Sequence, residues 1–222
     1  MTISTDSDAA ADAAASENGP RPTRSRLTWL LVAAALIVGT ALGIGIGIVV
    51  PHLRTPGDDS VEAGFLRDMA VHHAQAVEMS MIVHQKSDDP TVVYLANDIA
   101  LTQHGQIGYM QAWLRDWNLS PTSTRTPMAW MPDSAGSVVN GLMPGMATPE
   151  QLATLRKATG KDLDLQYLTL MRQHHLGGIH MAQEAEKLSS NDDVKWLAGT
   201  MVASQQGEIA LIDDMLNKLK AS

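Results

Sequence analysis

Two kinds of apolar patterning divide the chain. Residues 27–50, LTWLLVAAALIVGTALGIGIGIVV, run without a charged side chain. At about 1.5 Å of rise per residue, a helix of that length crosses a hydrocarbon layer of about 30 Å. A cleaved secretory signal has a shorter apolar region followed by a small-residue cleavage site. Here Pro51-His52-Leu53-Arg54 follows instead, so an uncleaved membrane anchor is expected over 27–50. Beyond residue 50 the pattern changes. Leu95, Ile99, Ile107, Met110 and Leu114 recur mostly at intervals of three and four, the period of helices buried along one face. No alternation of β-branched residues argues for a sheet.

That second pattern is written twice. Residues 65–114 align with 167–216 at a constant offset of 102, and thirteen of the fifty positions are identical. They include Met69/Met171, His72/His174, His73/His175, Met79/Met181, Leu95/Leu197 and Gln103/Gln205. Each copy reads as a helical hairpin. In the first, Asp59-Ser60-Val61-Glu62 suggests a capping box opening a helix that reaches about Lys86. Asp89 then caps a helix with Pro90 in its first turn, reaching about Trp117. In the second, a helix from about Lys161 to Leu188 turns at Ser189-Ser190-Asn191 into one reaching about Leu219. Between the copies, 118–147 is rich in Pro, Gly, Ser and Thr, and a loop that long is usually functional or disordered. Thr148-Pro149-Glu150-Gln151 then opens a short helix stopped by Gly160. Two antiparallel hairpins burying their apolar faces make an all-α four-helix bundle, here preceded by a single N-terminal transmembrane helix.

Charge sets the expected topology. Arg21, Arg24 and Arg26 precede the span and only Arg54 follows closely. The positive-inside rule therefore places 1–26 in the cytoplasm, as a disordered Ala-, Ser- and Asp-rich tail, and 51–222 outside as one domain. Gly39, Gly43 and Gly47 share one face of the span, a pattern compatible with pairing of two chains into a homodimer. The formal net charge of -8 argues against a nucleic-acid partner, which would require clustered Lys and Arg. The chain has no Cys, so disulfides, zinc-thiolate sites, iron–sulfur clusters and thiol nucleophiles are excluded.

What stands out chemically is 13 Met and 8 His beside one Phe, with every His and all but one Met beyond residue 50. Both first helices carry Met-x2-His-His-x5-Met: Met69, His72, His73, Met79, then Met171, His174, His175, Met181. Relative to Met69, His72 falls at about −60°, His73 at about +40° and Met79 at about −80°, on one broad face. His180 is expected to add a third imidazole to that face in the second copy. Any one of these side chains is more often simple packing. The duplicated His pair flanked by Met is harder to explain so, because adjacent buried imidazoles each need partners. Neutral imidazole and thioether suit a soft, low-charge ion, namely Cu(I) with Ag(I) as its mimic, whereas Cu(II) would draw on His and carboxylate oxygen. Asp68, one turn before His72, is expected to accept the ring's second N–H. Glu-x-x-His pairs, His-Glu-x-x-His, Gly-x-Ser-x-Gly and the phosphate-loop pattern are all absent. The reading is a metal-binding protein rather than an enzyme. A structural or sensory bundle and a ferritin-like oxidoreductase are the alternatives.

FLRDMAVHHAQAVEMS, QIGYMQAWLRDW, MPGMATPEQLATLRKATGKD and YLTLMRQHHLGGIHMAQEA together resemble the domain of unknown function 305 family over about 62–219. The resemblance implies a ferritin-like four-helix fold. It also implies Cu(I) or Ag(I) binding through Met and His, as in periplasmic copper-binding members associated with copper resistance. By that resemblance the ligands are Met69, His72, His73, Met79, Met171, His174, His175 and Met181, joined by Met143 and Met146 of the Met-Pro-Gly-Met segment. Gly178 and His180 depart from the family's usual Ala and acidic residue, and His180 would then be an added ligand.

Overall fold

The computed structural model describes residues 26–221, and among them all regular structure is helical. The expected tail over 1–26, with Arg21 and Arg24, lies outside the described residues except for Arg26. Six helices follow in order: α1 Arg26–Arg54, α2 Val61–Lys86, α3 Pro90–Asp116, α4 Pro149–Lys157, α5 Gly160–Leu188 and α6 Asp192–Ala221. They form two units, residues up to Arg54 and residues from Thr55 onward. Within α1, Arg26–Gly45 is long and apolar enough to cross a membrane, with a mean hydropathy of 2.2. Its large apolar side chains, from Leu27 to Ile44, are exposed.

The second unit is the four-helix bundle α2, α3, α5 and α6. Two apolar clusters fill it, and their membership gives the helix directions. One holds Phe65, Leu66 and Met69 from the start of α2, with Met110 and Leu114 from the end of α3. Met181 from the end of α5 and Val194 and Leu197 from the start of α6 complete it. The other cluster holds the opposite ends: Met79 and Val83, Val92 and Leu95, Leu163 and Met171, Ile212 and Leu216. So α2 and α6 run one way, and α3 and α5 the other. This up-down-down-up order needs one long crossover, the ferritin-like arrangement. The segment from 117 to α4 is that crossover. Met128, Met131 and Met143 pack into the first cluster, and Ala147, Leu152 and Leu155 into the second.

Local chemistry sets the ends. Ser60 caps α2 by accepting from the Ala63 amide at 3.1 Å, one residue later than the expected Asp59. Glu62 therefore closes no box. Its buried carboxylate instead accepts from Ser189 Oγ (2.8 Å), Ser190 N–H (2.7 Å) and Ser190 Oγ (3.2 Å), pinning α2 to the α5–α6 turn. Burial alone would raise its pKa, but its own amide and these serine donors outweigh that and lower it. Glu62→Ala removes the acceptor of two serine residues at once. It is expected to cost about 2–3 kcal/mol in urea denaturation, since hydrogen bonds to a charged group carry more than neutral ones. A loss below about 0.5 kcal/mol, within the range of ordinary surface substitutions, would contradict this role. Asp89 caps α3 ahead of Pro90, and Thr148 and Gln151 form the expected box at α4. The chain leaves α4 at Ala158, and Gly160, at φ 54°, opens α5 rather than stopping α4.

Candidate metal centre

Helices α2 and α5 pack against each other at the centre of the bundle, so the two His-His motifs meet. The His72 and His174 rings lie 3.8 Å apart, centroid to centroid, with planes inclined by 37°. Both are fully buried, as are His73 and His175. Each imidazole donates from Nε2. His72 donates to the Pro144 carbonyl at 3.0 Å, His174 to the His72 carbonyl at 3.0 Å, and His73 to Gln106 Oε1 at 2.8 Å. His175 donates to the Glu208 carboxylate. With Nε2–H committed, the lone pair sits at Nδ1. For His72, His73 and His175, Nδ1 is buried without a hydrogen-bond partner.

The layer contains two more orphans. Gln103 on α3 and Gln205 on α6 are buried, and both side-chain polar atoms of each are unpartnered. A Cβ added at Gly178 would lie 2.7 Å from Gln205 Oε1 and 3.4 Å from His72 Cε1, which puts this amide beside the ring. The methionines flank the layer on both sides. Met69 and Met181 lie in one apolar cluster and Met79 and Met171 in the other, all fully buried. Met143 is buried with the first pair, and half-buried Met146 packs against them.

A strap holds Met143 and Met146 in place. Gly145 adopts φ 81°, and the Pro144 carbonyl presses on α5 where Gly177 leaves room. A Cβ at Gly177 would sit 1.9 Å from Pro144 O. On the α2 side, Gln75 brackets Ala147, accepting from its N–H at 2.7 Å and donating to its carbonyl at 3.0 Å.

Burial sets the charge of three of the four rings. It pushes His72 down to about 4, against the raising pull of the Pro144 carbonyl, with His175 lowering it further. Burial and then the neighbouring His72 push His73 down to about 3. His174 is held well below the usual imidazole range by burial first and the other histidines second. Neutral rings are the metal-binding form.

Two expected residues fall elsewhere. His180 is exposed: nine residues after Met171 is about 180° around the helix, on the opposite face from the motif. Asp68 does not reach His72. Its Oδ2 accepts from the Met128 amide at 2.6 Å and from Trp130 Nε1 at 2.9 Å, anchoring the crossover. The Gln103, Gln106, Gln205 and Glu208 roles were missed. Their signal was the 102-residue offset, which pairs Gln103 with Gln205 and Gln106 with Glu208, one turn apart on a single face. Among the described residues no three His, Asp or Glu side chains converge as a ligand set. An ion here would be held by two imidazoles, or by imidazole together with thioether or amide donors.

The family model for a domain of unknown function, DUF305, matches residues 62–216. A DUF305 protein structure from Streptomyces coelicolor is 43% identical, with a TM-score of 0.68, covering 74% of this chain and 96% of that one. A DUF305 fragment from Deinococcus radiodurans is 30% identical, with a TM-score of 0.60, covering 71% and 96%. CopM in its Cu(II)-bound form is 23% identical, with a TM-score of 0.56, covering 72% and 97%; this likeness is one of fold. CopM has also been solved with Cu(I) and with Ag bound. No curated protein matches the chain.

Proposed function

Because the chain belongs to the domain of unknown function 305 family and shares its fold with CopM, we propose that it sequesters or hands on Cu(I) or Ag(I), as cargo rather than for catalysis. The observation that carries this reading is the buried layer in which three imidazole Nδ1 atoms lack partners, with thioether pairs on both sides. Imidazole nitrogen and thioether sulfur are soft donors, and such a set suits a low-charge ion in low coordination number. Nε2 hydrogen bonds to carbonyl and carboxylate oxygens orient metal-ligating imidazoles in the same way. In this reading α1 is a single-pass anchor and 55–221 lies outside the cytoplasm. The helix Arg26–Gly45 and the arginines before it support that placement. A ferritin-like oxidoreductase fits less well, since among the described residues no three His, Asp or Glu side chains converge as a ligand set.

One observation favours a second reading, a bundle whose polar layer only sets helix register. The Nε2 atoms of His72 and His174 already hold backbone carbonyls. The two readings separate in one experiment on the full chain in detergent. Cu(I) is titrated against a chromophoric competing chelator, and thermal melts are recorded alongside. A cargo site is expected to bind tightly and to stabilise by about 4 kcal/mol when free ion exceeds Kd a thousandfold. Replacing His72, His73, His174 and His175 together by Ala is expected to abolish that competition. Unchanged affinity in this variant, or a melting temperature indifferent to Cu(I), leaves only the structural reading.

A further inference from the structure

The two halves of the imidazole layer are not electrically equivalent. His73 donates to the neutral amide of Gln106, whereas His175, its counterpart at the 102-residue offset, donates to the carboxylate of Glu208. Glu208 is largely buried, at 12% exposure, and also accepts from Ser204 Oγ at 3.1 Å. Among the described residues its ion-pair contact is with His175 alone. The ring's other nitrogen, Nδ1, is buried without a hydrogen-bond partner. Nδ1 has a single lone pair, so an ion bound there takes the place of a second proton, and the Glu208 carboxylate then faces the ion's charge through the ring.

We propose that Glu208 is the counter-charge of the layer, fixing one monovalent cation at the His175 side and leaving the His73 side without one. This rests on the soft-ion reading above. Imidazole nitrogen, thioether sulfur and amide oxygen are all neutral donors, so the ion's full charge would otherwise enter the low-dielectric interior uncompensated, which strongly disfavours it. One carboxylate, one ring away, offsets one unit. A divalent ion would leave a unit uncompensated. Through Nε2–H the carboxylate also orients the His175 ring and enriches its Nδ1 lone pair. Glu208 is thus a positioning and selectivity residue, acting through His175. Gln205, one turn before it on α6, is buried with both side-chain polar atoms unpartnered.

The test uses the full chain in detergent, Ag(I) as the probe because it does not change oxidation state, and circular dichroism as the control for folding. Glu208→Gln makes the second hairpin like the first, and Ag(I) binding is expected to weaken about 10- to 100-fold. Asp98→Asn, which removes an exposed carboxylate on α3 outside the layer, should change it by less than about threefold, because solvent and salt screen a charge there. Gln106→Glu in the Glu208→Gln background moves the carboxylate to the equivalent place and is expected to restore binding. A merely structural Glu208 predicts no such rescue. Wild-type protein that fails to bind Ag(I) overturns the soft-ion reading itself. Wild-type binding with Glu208→Gln unchanged overturns only the counter-charge. Should Glu208→Gln fail to fold, Gln106→Glu alone decides: it is expected to admit a second Ag(I), and an unaltered isotherm refutes the proposal.

Discussion

Acidifying the metal-free protein from pH 7 to pH 4 is expected to strip several kcal/mol from the stability of the bundle. In the unfolded chain a histidine titrates near pH 6.5. In the folded one, burial holds His72 to about 4 and His73 to about 3, with His174 shifted in the same direction. A depressed imidazole pKa means that the unfolded state takes up protons first. The stabilising difference is therefore complete above about pH 6.5 and shrinks as pH falls, until the folded ring also titrates. At about 1.4 kcal/mol per unit, His72 alone accounts for roughly 3 kcal/mol, and the other two add to it. Against a total of about 5–15 kcal/mol, this brings unfolding within reach near pH 4. Urea denaturation at stepped pH values measures it, followed by tryptophan fluorescence. Trp130 packs edge-on against Phe65 at 5.7 Å and reports on the core. His72→Gln and His73→Gln should flatten the profile. A stability independent of pH between 7 and 4 would mean that these rings are not buried neutral.

Gly177→Ala is expected to be the most damaging methyl addition in the domain, at about 2–4 kcal/mol. The added carbon would lie 1.9 Å from Pro144 O and 2.4 Å from Pro144 C, both backbone atoms that no rotamer change can clear. Lifting the strap to make room withdraws the carbonyl that His72 Nε2 donates to and leaves a buried donor unpaired. Two other glycines calibrate the effect. At Gly178 the new atom meets the end of the Gln205 side chain, which can move, so a smaller loss is expected. At Gly207, mid-helix with open space around it, Ala should instead stabilise by about 0.5–1 kcal/mol. Chemical denaturation of the three variants gives the order directly, and a Gly177→Ala loss no larger than that of Gly178→Ala would show that the strap is not seated on α5.

Much of this was legible in the residues because it is local or repeated. Caps such as Asp89-Pro90 and Thr148-x-x-Gln151 act within a turn, so they show in a few letters. The 102-residue offset exposed the duplicated hairpin, and helical phase put His72, His73, Met69 and Met79 on the buried face. Contacts across the crossover were not legible. Asp68 looks like a partner for His72 at one turn's distance, yet it is spent on Met128 and Trp130 some sixty residues away. The strap's grip on Gly177 depends on two segments meeting edge to edge, and neither shows it alone. Placing His180 on the buried face was an error of phase, since nine residues are two and a half turns. The asymmetry of Gln106 and Glu208 was visible in the alignment, but its meaning depended on knowing that each receives a histidine N–H.

The up-down-down-up order also governs when the layer comes into being during synthesis. His72 and His73 leave the ribosome about a hundred residues ahead of His174 and His175, and the first hairpin can close by itself through local contacts. Until the second has docked, the earlier pair has no ring to stack on and no Pro144 carbonyl to hold. A nascent chain, or one cut within the crossover before docking, thus carries every donor of its first half and no enclosed chamber.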